Sequence, residues 1–324
     1  MGRESYKGLI IALFTVTAAI SRPFSGKMAD TVGRKSTMYI GTAVSIIITL
    51  LYPISGTIAF YLTLRFFHGF STGFLPTGAT ALVTDLLPEN KRGQGMGVFG
   101  TGIALGLGVG QAFGTPIAKA LSINGLFIVS GLTAALSMLL IKSVKETLPH
   151  PQPFSFRIFR IKGEDILEKN VLPAAMVMFL TTICTGLVLV LTPDMSVYLN
   201  IENKGWYYVF YVISTIFVRL FAGQLSDKIG RRQALLLGVS FLILAMLMTG
   251  NAKTEFWYTA ASFIFGVATG ISSPTLFAWM ADLSPKNRRG VGAGTLFIAL
   301  ELGILIGSMN TIVVYDNTLK SLRN

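Results

Sequence analysis

Long apolar stretches, separated by short polar and often basic segments, run through the whole sequence. An α-helix of about 20 residues crosses a hydrocarbon layer of roughly 30 Å. Ten stretches reach about this length, at 8–25, 36–56, 57–84, 92–117, 121–141, 171–198, 205–225, 233–250, 255–281 and 290–314. Open backbone groups find no partner inside a bilayer, and a barrel needs shorter alternating segments. We therefore predict an all-α membrane-spanning protein with about ten transmembrane helices.

Composition and charge support this assignment. Hydrophobic residues make up 52% and charged residues 13% of the 324 positions, whereas a soluble domain carries about 25% charged residues. The net charge of +12 could suggest nucleic-acid binding, but most of the basic residues lie in one set of loops. Of the 27 Lys and Arg residues, 17 lie in the loops around 26–35, 85–92, 142–170, 226–233 and 282–289. The positive-inside rule places these loops in the cytoplasm, and we expect no nucleic-acid partner.

No motif in the sequence indicates nucleotide binding, a metal site or an enzyme active site. The sequence lacks a phosphate-binding glycine loop that ends in Lys-Ser/Thr, so no nucleotide-driven pump is predicted. The single cysteine, Cys184, lies in an apolar stretch, which excludes a disulfide framework. We predict no metal, no cofactor and no enzyme activity.

One segment is repeated at a fixed distance along the chain. The 14 residues from Arg22 match the 14 residues from Arg219 at six positions, an offset of 219 − 22 = 197. The stretch at 85–93 matches 282–290 at the same offset, without a gap. Internal symmetry of this kind is typical of secondary transporters and indicates two homologous helix bundles.

The repeated residues resemble two loop signatures of the major facilitator superfamily. The first signature is G-x-x-x-D-x-x-G-R-[KR], and the second is D-x-x-P-x-x-x-R-G. The matching residues are Gly26, Asp30, Gly33, Arg34 and Lys35, with Asp85 and Arg92, in the first copy, and Gly223, Asp227, Gly230, Arg231 and Arg232, with Asp282 and Arg289, in the second. The resemblance implies two bundles, at about 1–141 and 171–324, joined by a cytoplasmic linker at 142–170 that has room for a short surface helix.

The family pattern has twelve helices, and the repeat offset shows which counterparts this sequence lacks. Subtracting 197 from the block at 171–198 gives positions before residue 1. Adding 197 to the block at 121–141 gives 318–338, beyond residue 324. We expect the first and last helices of the family pattern to be absent.

The resemblance gives the two aspartates a gating role. In the family, such an aspartate meets the positive N-terminal end of a helix in the other bundle, which predicts contacts of Asp30 with the helix start near Gly290 and of Asp227 with that near Gly93. Arg34 is expected to pair with Asp85, and Arg231 with Asp282. Gly33 and Gly230 are expected to adopt positive φ. The alternative is that these charges only anchor the topology.

Three ionisable residues lie deeper in apolar stretches and have no ionisable counterpart in the other repeat. Arg65 is expected to face a cavity, because an unpaired guanidinium in lipid costs about 2.5–3.5 kcal/mol. His68 shares its helical face and serves either packing or function. Glu301 is the acidic residue deep in an apolar block. It is interpreted as a proton carrier or as an interhelical hydrogen-bond partner, for example of Thr15 or Thr17.

Four glycines recur every four residues in the block at 92–117: Gly102, Gly106, Gly110 and Gly114. Such a stripe lets helix backbones approach closely, and we expect it to pack against the helix at 205–225. Arg22 and Arg219 lie near the cytoplasmic ends of their helices and are assigned to structure.

The predicted function is secondary active transport of a small molecule by alternating access, as a monomer in the plasma membrane (the inner membrane in a bacterium). Resemblance favours proton-coupled efflux, with protons and the lipid bilayer as further partners. Uptake or facilitated diffusion of a sugar or metabolite is the alternative. A non-transporting, receptor-like or inactive membrane protein is an alternative of another class.

Overall fold

The computed structural model describes residues 2–201 and 206–322. Gly205, the first residue of one predicted helix, lies outside them. The long helices are α1 (Gly2–Thr31), α2 (Arg34–Leu51), α3 (Ile58–Leu86), α4 (Arg92–Ser143), α6 (Leu172–Tyr198), α7 (Trp206–Ile229), α8 (Arg231–Gly250), α9 (Glu255–Leu283) and α10 (Arg289–Leu322). A short α5 (Gly163–Ile166) lies in the linker, where a surface helix was expected. Short 3₁₀ turns occupy Tyr52–Ile54, Glu89–Lys91, Phe156–Phe159, Lys169–Val171 and Lys286–Arg288.

The all-α membrane fold is confirmed. By length and composition, seven helical segments of the described chain are apolar enough to cross a membrane. The other predicted blocks, at 8–25, 57–84 and 92–117, also form helices. Many large apolar side chains, such as Leu132, Leu139 and Phe217, are exposed, as lipid-facing residues are.

One predicted break between helices was misplaced. The blocks at 92–117 and 121–141 form the single element α4, in which two helices meet at Ser122 with φ 73° and ψ 169°. The first helix therefore continues past Pro116, although proline removes a backbone donor. The prediction placed the break at 118–120.

The chain forms two compact units by its contacts. The first comprises Met1–Leu86, Leu107–Leu172 and Leu283–Ile298, and the second comprises Leu87–Gly106, Pro173–Asp282 and Ala299–Asn324. The first part of α4 thus belongs to the second unit, which is built mainly from the second half of the sequence. The first part of α10 belongs to the first unit, which is built mainly from the first half. The predicted bundle limits, at about 1–141 and 171–324, stay a prediction.

Glycines set the closest helix crossings inside each unit. In the first unit, a Cβ at Gly69 would collide with the Phe14 carbonyl of α1. In the second, Gly266 lies in the same way against the Tyr211 carbonyl of α7. Because Gly69 and Gly266 are 197 positions apart, the repeat found in the sequence is also a repeat of packing.

Candidate gating and substrate sites

Both basic loops turn on a glycine with positive φ. Gly33 has φ 142° and Gly230 has φ 91°. An L-residue with a side chain is strained in this region, so glycine allows α1 to pass directly into α2, and α7 into α8. The predicted backbone conformation of these two turns is confirmed.

The Asp30 carboxylate lies at the start of α10. Its Oδ1 accepts a hydrogen bond from the Gly290 amide at 2.7 Å, and its Oδ2 accepts one from the Val291 amide at 2.8 Å. The first amides of an α-helix have no partner within the helix and carry its positive dipole end. The carboxylate therefore satisfies two such donors, at the helix start that the sequence predicted.

The second copy repeats the arrangement at the start of α4. The two carboxylate oxygens of Asp227 accept hydrogen bonds from the amides of Gly93 and Gln94, both at 2.9 Å. We call the two arrangements the Asp30 contact (Asp30 with Gly290 and Val291) and the Asp227 contact (Asp227 with Gly93 and Gln94). They lie in different units and use residues related by the repeat.

Glycines also bring the backbones together at both contacts. A Cβ at Gly26 would meet the Gly290 carbonyl at 3.0 Å, and one at Gly223 would collide with the Gly93 carbonyl. A larger residue at either glycine would hold the aspartate away from the amides. The glycine of the loop signature is thus a spacing element for the carboxylate one turn later.

The predicted ion pairs within each copy are formed. Arg34 Nε donates to Asp85 Oδ2 at 3.0 Å, and Arg231 Nε donates to Asp282 Oδ2 at 2.8 Å. Each arginine also bonds the aspartate of its own signature at 2.6 Å, Asp30 for Arg34 and Asp227 for Arg231. Each arginine therefore links the two signatures of its copy.

A second arginine reaches each of these loop aspartates from the other half of the sequence. Arg289 Nη1 lies 2.7 Å from Asp85 Oδ1, and Arg92 Nη1 lies 3.0 Å from Asp282 Oδ1. The sequence identified both arginines as signature residues but did not reveal these partners. The same network of ion pairs therefore occurs twice, formed by residues that the repeat relates to one another.

The linker reinforces the first copy. Both oxygens of Glu146 accept amide hydrogen bonds, from Arg34 and Lys35, at 3.0 Å each, and so cap the start of α2. Thr147 donates to Asp85 at 2.6 Å. Lys35 Nζ donates to the Lys142 carbonyl at 2.8 Å, whereas its counterpart in the other copy, Arg232, is exposed.

The Asp30 carboxylate is more buried than its counterpart. Its side chain is 7% exposed beside Arg34 at 1%, whereas Asp227 is 11% exposed beside Arg231 at 15%. Burial raises the pKa of Asp30 from its ordinary 3.8 to about 6, against the opposing effects of Arg34 and the two amides. The first contact can therefore respond to pH near neutrality.

Arg65 and His68 belong to one aromatic cluster in the first unit. The Arg65 guanidinium lies 4.7 Å from the centre of the Phe14 ring, and the His68 ring packs edge-on against the same Phe14 at 5.6 Å. His68 Nδ1 lies 3.0 Å from the Tyr52 hydroxyl. Arg65 is half-buried, and the ring face partly compensates its charge. The cluster offers a cation and a tautomeric imidazole side by side.

Glu301 lies on α10 in the second unit and is 7% exposed. Two residues later, a Cβ at Gly303 would collide with the Phe179 carbonyl of α6, which fixes this part of α10 tightly against its neighbour. Thr17, one hydroxyl considered as a partner of Glu301, donates to the Leu13 carbonyl of its own helix at 2.8 Å. The carboxylate is thus buried in a tightly packed segment of α10.

Comparison with known proteins identifies the family. A sequence profile of the Major Facilitator Superfamily matches residues 2–308. The chain belongs to the major facilitator superfamily. It is 26% identical over 326 residues to the multi-drug resistance efflux pump PmrA of Streptococcus pneumoniae serotype 4, covering 94% of this chain and 78% of the relative. The multidrug resistance protein MdtG of Citrobacter koseri is 24% identical over 284 residues, covering 84% of this chain and 68% of the relative.

Solved structures of the superfamily share the fold. The human organic anion transporter MFSD10 superposes with a TM-score of 0.83 at 21% identity, covering 96% of this chain and 78% of that one. The proton:xylose symporter XylE superposes with a TM-score of 0.78 at 14% identity, covering 98% and 82%. Major facilitator proteins are membrane transporters of small molecules rather than enzymes.

The major facilitator scaffold here contains two arginine side chains that tie helices together. Arg22 Nη1 donates to Thr77 Oγ1 at 2.9 Å, and its guanidinium lies 4.2 Å from the centre of the Phe297 ring. Arg219 donates to the Gly100 carbonyl and to Ser273 Oγ. These partners agree with a structural assignment for both arginines.

The glycine stripe on α4 is not a site of close packing in this structure. A Cβ at Gly102, Gly106, Gly110 or Gly114 would meet nothing within 4 Å among the described residues. The close approach to α7 occurs earlier, where a Cβ at Gly97 would lie 2.8 Å from the Arg219 carbonyl. The expectation was wrong because the spacing of glycines defines a face but not the neighbour that covers it.

A different glycine pair forms a tight crossing that the sequence analysis missed. Gly307 of α10 lies against Gly186 of α6, where a Cβ at Gly307 would be 3.0 Å from the Gly186 Cα and would collide with the Ile183 carbonyl. Gly303 and Gly307 form a G-x-x-x-G spacing on one face of α10. That spacing was the signal in the sequence that could have revealed the crossing.

Proposed function

We propose that this protein exports small, amphipathic molecules in exchange for protons by alternating access. Relatives whose names describe multidrug efflux support export as the direction. The buried carboxylate of Glu301 is the observation that carries the coupling, because an acidic side chain buried within an apolar helix is suited to binding and releasing a proton. Such a group takes up a proton from one side and releases it to the other when access changes.

The Asp30 and Asp227 contacts act as a two-part latch on the side of the basic loops. Each contact joins an aspartate from one half of the sequence to a helix start from the other half. Breaking a contact leaves two amides of its helix start without their acceptor, so the contacts are expected to change with the transport cycle. We place these loops in the cytoplasm, with the protein in the plasma membrane, from the charge distribution.

Arg65 and His68 are assigned to the substrate or proton pathway. Their shared contact with Phe14 places a fixed positive charge beside an aromatic face. Aromatic faces bind the apolar parts of amphipathic molecules, and the guanidinium attracts anionic groups. The His68 imidazole, bonded to Tyr52, can exchange a proton through either ring nitrogen.

The proposal is tested in sealed vesicles with the purified chain and a fluorescent amphipathic dye such as ethidium. An imposed pH gradient should drive dye movement against its own gradient, and Glu301→Gln should abolish this driven movement while downhill dye flux remains. The matched control is Glu255→Gln, which changes an exposed acid at the start of α9.

Other outcomes identify the competing functions. Driven transport that survives Glu301→Gln would remove the carrier role and leave Glu301 as a hydrogen-bonding residue. Dye or sugar flux that ignores the pH gradient in the wild type would indicate a facilitator. Absence of flux for all tested substrates, in a chain that is folded, would favour a non-transporting protein.

A further inference from the structure

Three phenylalanine side chains of the linker form an exposed cluster. We call Phe154, Phe156 and Phe159 the linker phenylalanine cluster; their side chains are 49%, 82% and 55% exposed. Their ring centroids are 5.8 to 6.5 Å apart. Contiguous apolar patches on a protein surface mark sites of interaction with a partner or a membrane.

The segment that carries the cluster is anchored to the first unit. Ile158, between two of the phenylalanines, is buried in a core cluster with Met28 of α1 and Phe74 of α3. Lys27 Nζ donates to the Arg160 carbonyl and to Asp165 Oδ2, both at 2.8 Å. The three rings are therefore exposed on a fixed backbone, which makes the cluster a preformed surface.

The contacts along α1 place the cluster relative to the predicted apolar stretch at 8–25. The Gln152 amide donates to the carbonyl of Thr31, the last residue of α1, at 2.8 Å. The Phe159 ring packs 6.0 Å from the ring of Phe24. Seven residues of helix separate Thr31 from Phe24, which is about 10 Å along the axis. The linker thus runs from the end of α1 back toward the bilayer, and Phe159 lies level with the end of the apolar stretch at 8–25.

The segment that carries the cluster is rich in basic residues, and the nearest described acids, Glu164 and Asp165, are paired with Lys162 and Lys27. The sequence from 151 to 162 contains Arg157, Arg160 and Lys162 but no Asp or Glu. Arg160 is exposed, and the Lys162 side chain is 73% exposed. Aromatic rings beside Lys and Arg at the level of a helix end are suited to a membrane interface, where the rings enter the acyl boundary and the cations meet acidic headgroups.

We propose that the linker phenylalanine cluster inserts into the adjacent leaflet and that the basic residues around it bind acidic phospholipids. The linker would then be a lipid-binding surface that ties the first copy of the charge network, through Glu146 and Thr147, to the membrane. This inference depends on the membrane location of the chain and not on the coupling or direction of transport.

The test places a nitroxide at position 156 of the full chain, using Phe156→Cys in a Cys184→Ser background. The labelled protein is reconstituted in phosphatidylcholine vesicles with and without phosphatidylglycerol, and the collision rates with oxygen and with a water-soluble nickel chelate are measured. We expect oxygen access at 156 to exceed nickel access several-fold, and phosphatidylglycerol to increase this ratio. Arg160→Gln should reduce the increase.

The matched control is a nitroxide at position 152, on the same linker but about 10 Å farther from the bilayer, where nickel access should dominate. Position 154 serves as a second labelled site, so that misfolding of one variant cannot decide the result. The proposal is overturned if positions 156 and 154 resemble 152 in nickel access, which means that they face water. It is also overturned if both reagents are excluded there, which means burial against protein, or if phosphatidylglycerol has no effect.

Discussion

Removal of the Asp30 carboxylate should expose two specific amides at the start of α10. In the structure, Asp30 accepts hydrogen bonds from Gly290 and Val291 at 2.7 and 2.8 Å. These amides lie in the first turn, where no carbonyl of the same helix can accept from them. Their protection from hydrogen exchange therefore reports the Asp30 contact directly.

The size of the effect follows from the bonds that are lost. A hydrogen bond to a charged group contributes about 1.5–3 kcal/mol, and a charge at a helix terminus about 0.3–2 kcal/mol. Desolvation of a carboxylate that is only 7% exposed offsets most of this sum, since burial outweighs Arg34 and the amides in setting the pKa of Asp30. We take about 1–2 kcal/mol for the contact, which corresponds to a roughly 5- to 30-fold loss of protection.

The assay is residue-resolved hydrogen exchange of the purified chain in lipid nanodiscs. Asp30→Ala should accelerate exchange at Gly290 and Val291 by this factor, and Asp30→Asn by less, because one oxygen still accepts. Asp227→Ala is the matched control, since it should act on Gly93 and Gln94 instead. Unchanged exchange at Gly290 and Val291 in Asp30→Ala would refute the reasoning, as would equal effects of the two variants on both helix starts.

Two further predictions concern pH and packing. Burial raises the pKa of Asp30 to about 6, so the closed contact binds the proton more tightly than the solvated carboxyl, and Arg34 and Arg288 are the charged groups acting on it. As the pH falls from 6 to the ordinary pKa of 3.8, the contact should therefore become more stable, and above pH 7 its stability should not change. Hydrogen exchange at Gly290 and Val291, corrected for the intrinsic rate, checks this at pH 5, 6 and 7.5. The pH dependence should vanish in Asp30→Asn. Gly307→Ala should destabilise the protein by about 1–3 kcal/mol, because the added methyl group meets the backbone of α6. Gly106→Ala places its methyl group in open space and should not destabilise the protein. Thermal unfolding in detergent compares the two variants, and equal unfolding midpoints would contradict the packing assignment.

The parts of the site that could be predicted are those in which position along the chain determines geometry. Gly33 and Gly230 must turn the chain between two helices, and only glycine adopts the required φ freely. The pairs Arg34–Asp85 and Arg231–Asp282 lie in signatures that the repeat preserves at one offset. A motif that occurs twice with unchanged spacing is expected to form the same contacts in both copies.

The parts that could not be predicted depend on neighbours that are distant in sequence. Glu146 caps the start of α2 from the linker, 112 positions after Arg34. The partners of Arg92 and Arg289 come from the other half of the chain. The break at Ser122 has neither glycine nor proline at the point of non-helical φ and ψ. In each case only the tertiary fold supplies the information.

The difference between the two copies determines which contact is the stronger part of the proposed latch. The charge network of each copy consists of two aspartates and two arginines. In the first copy, Glu146 and Thr147 of the linker add hydrogen bonds to Arg34, Lys35 and Asp85. Arg34 is 1% exposed, whereas Arg231 is 15% exposed, and charged hydrogen bonds are stronger where water is excluded. A gate made from two unequal contacts opens at the weaker one first, so the Asp227 contact should yield before the Asp30 contact. The hydrogen bonds from the linker are then the contacts that set the order of opening.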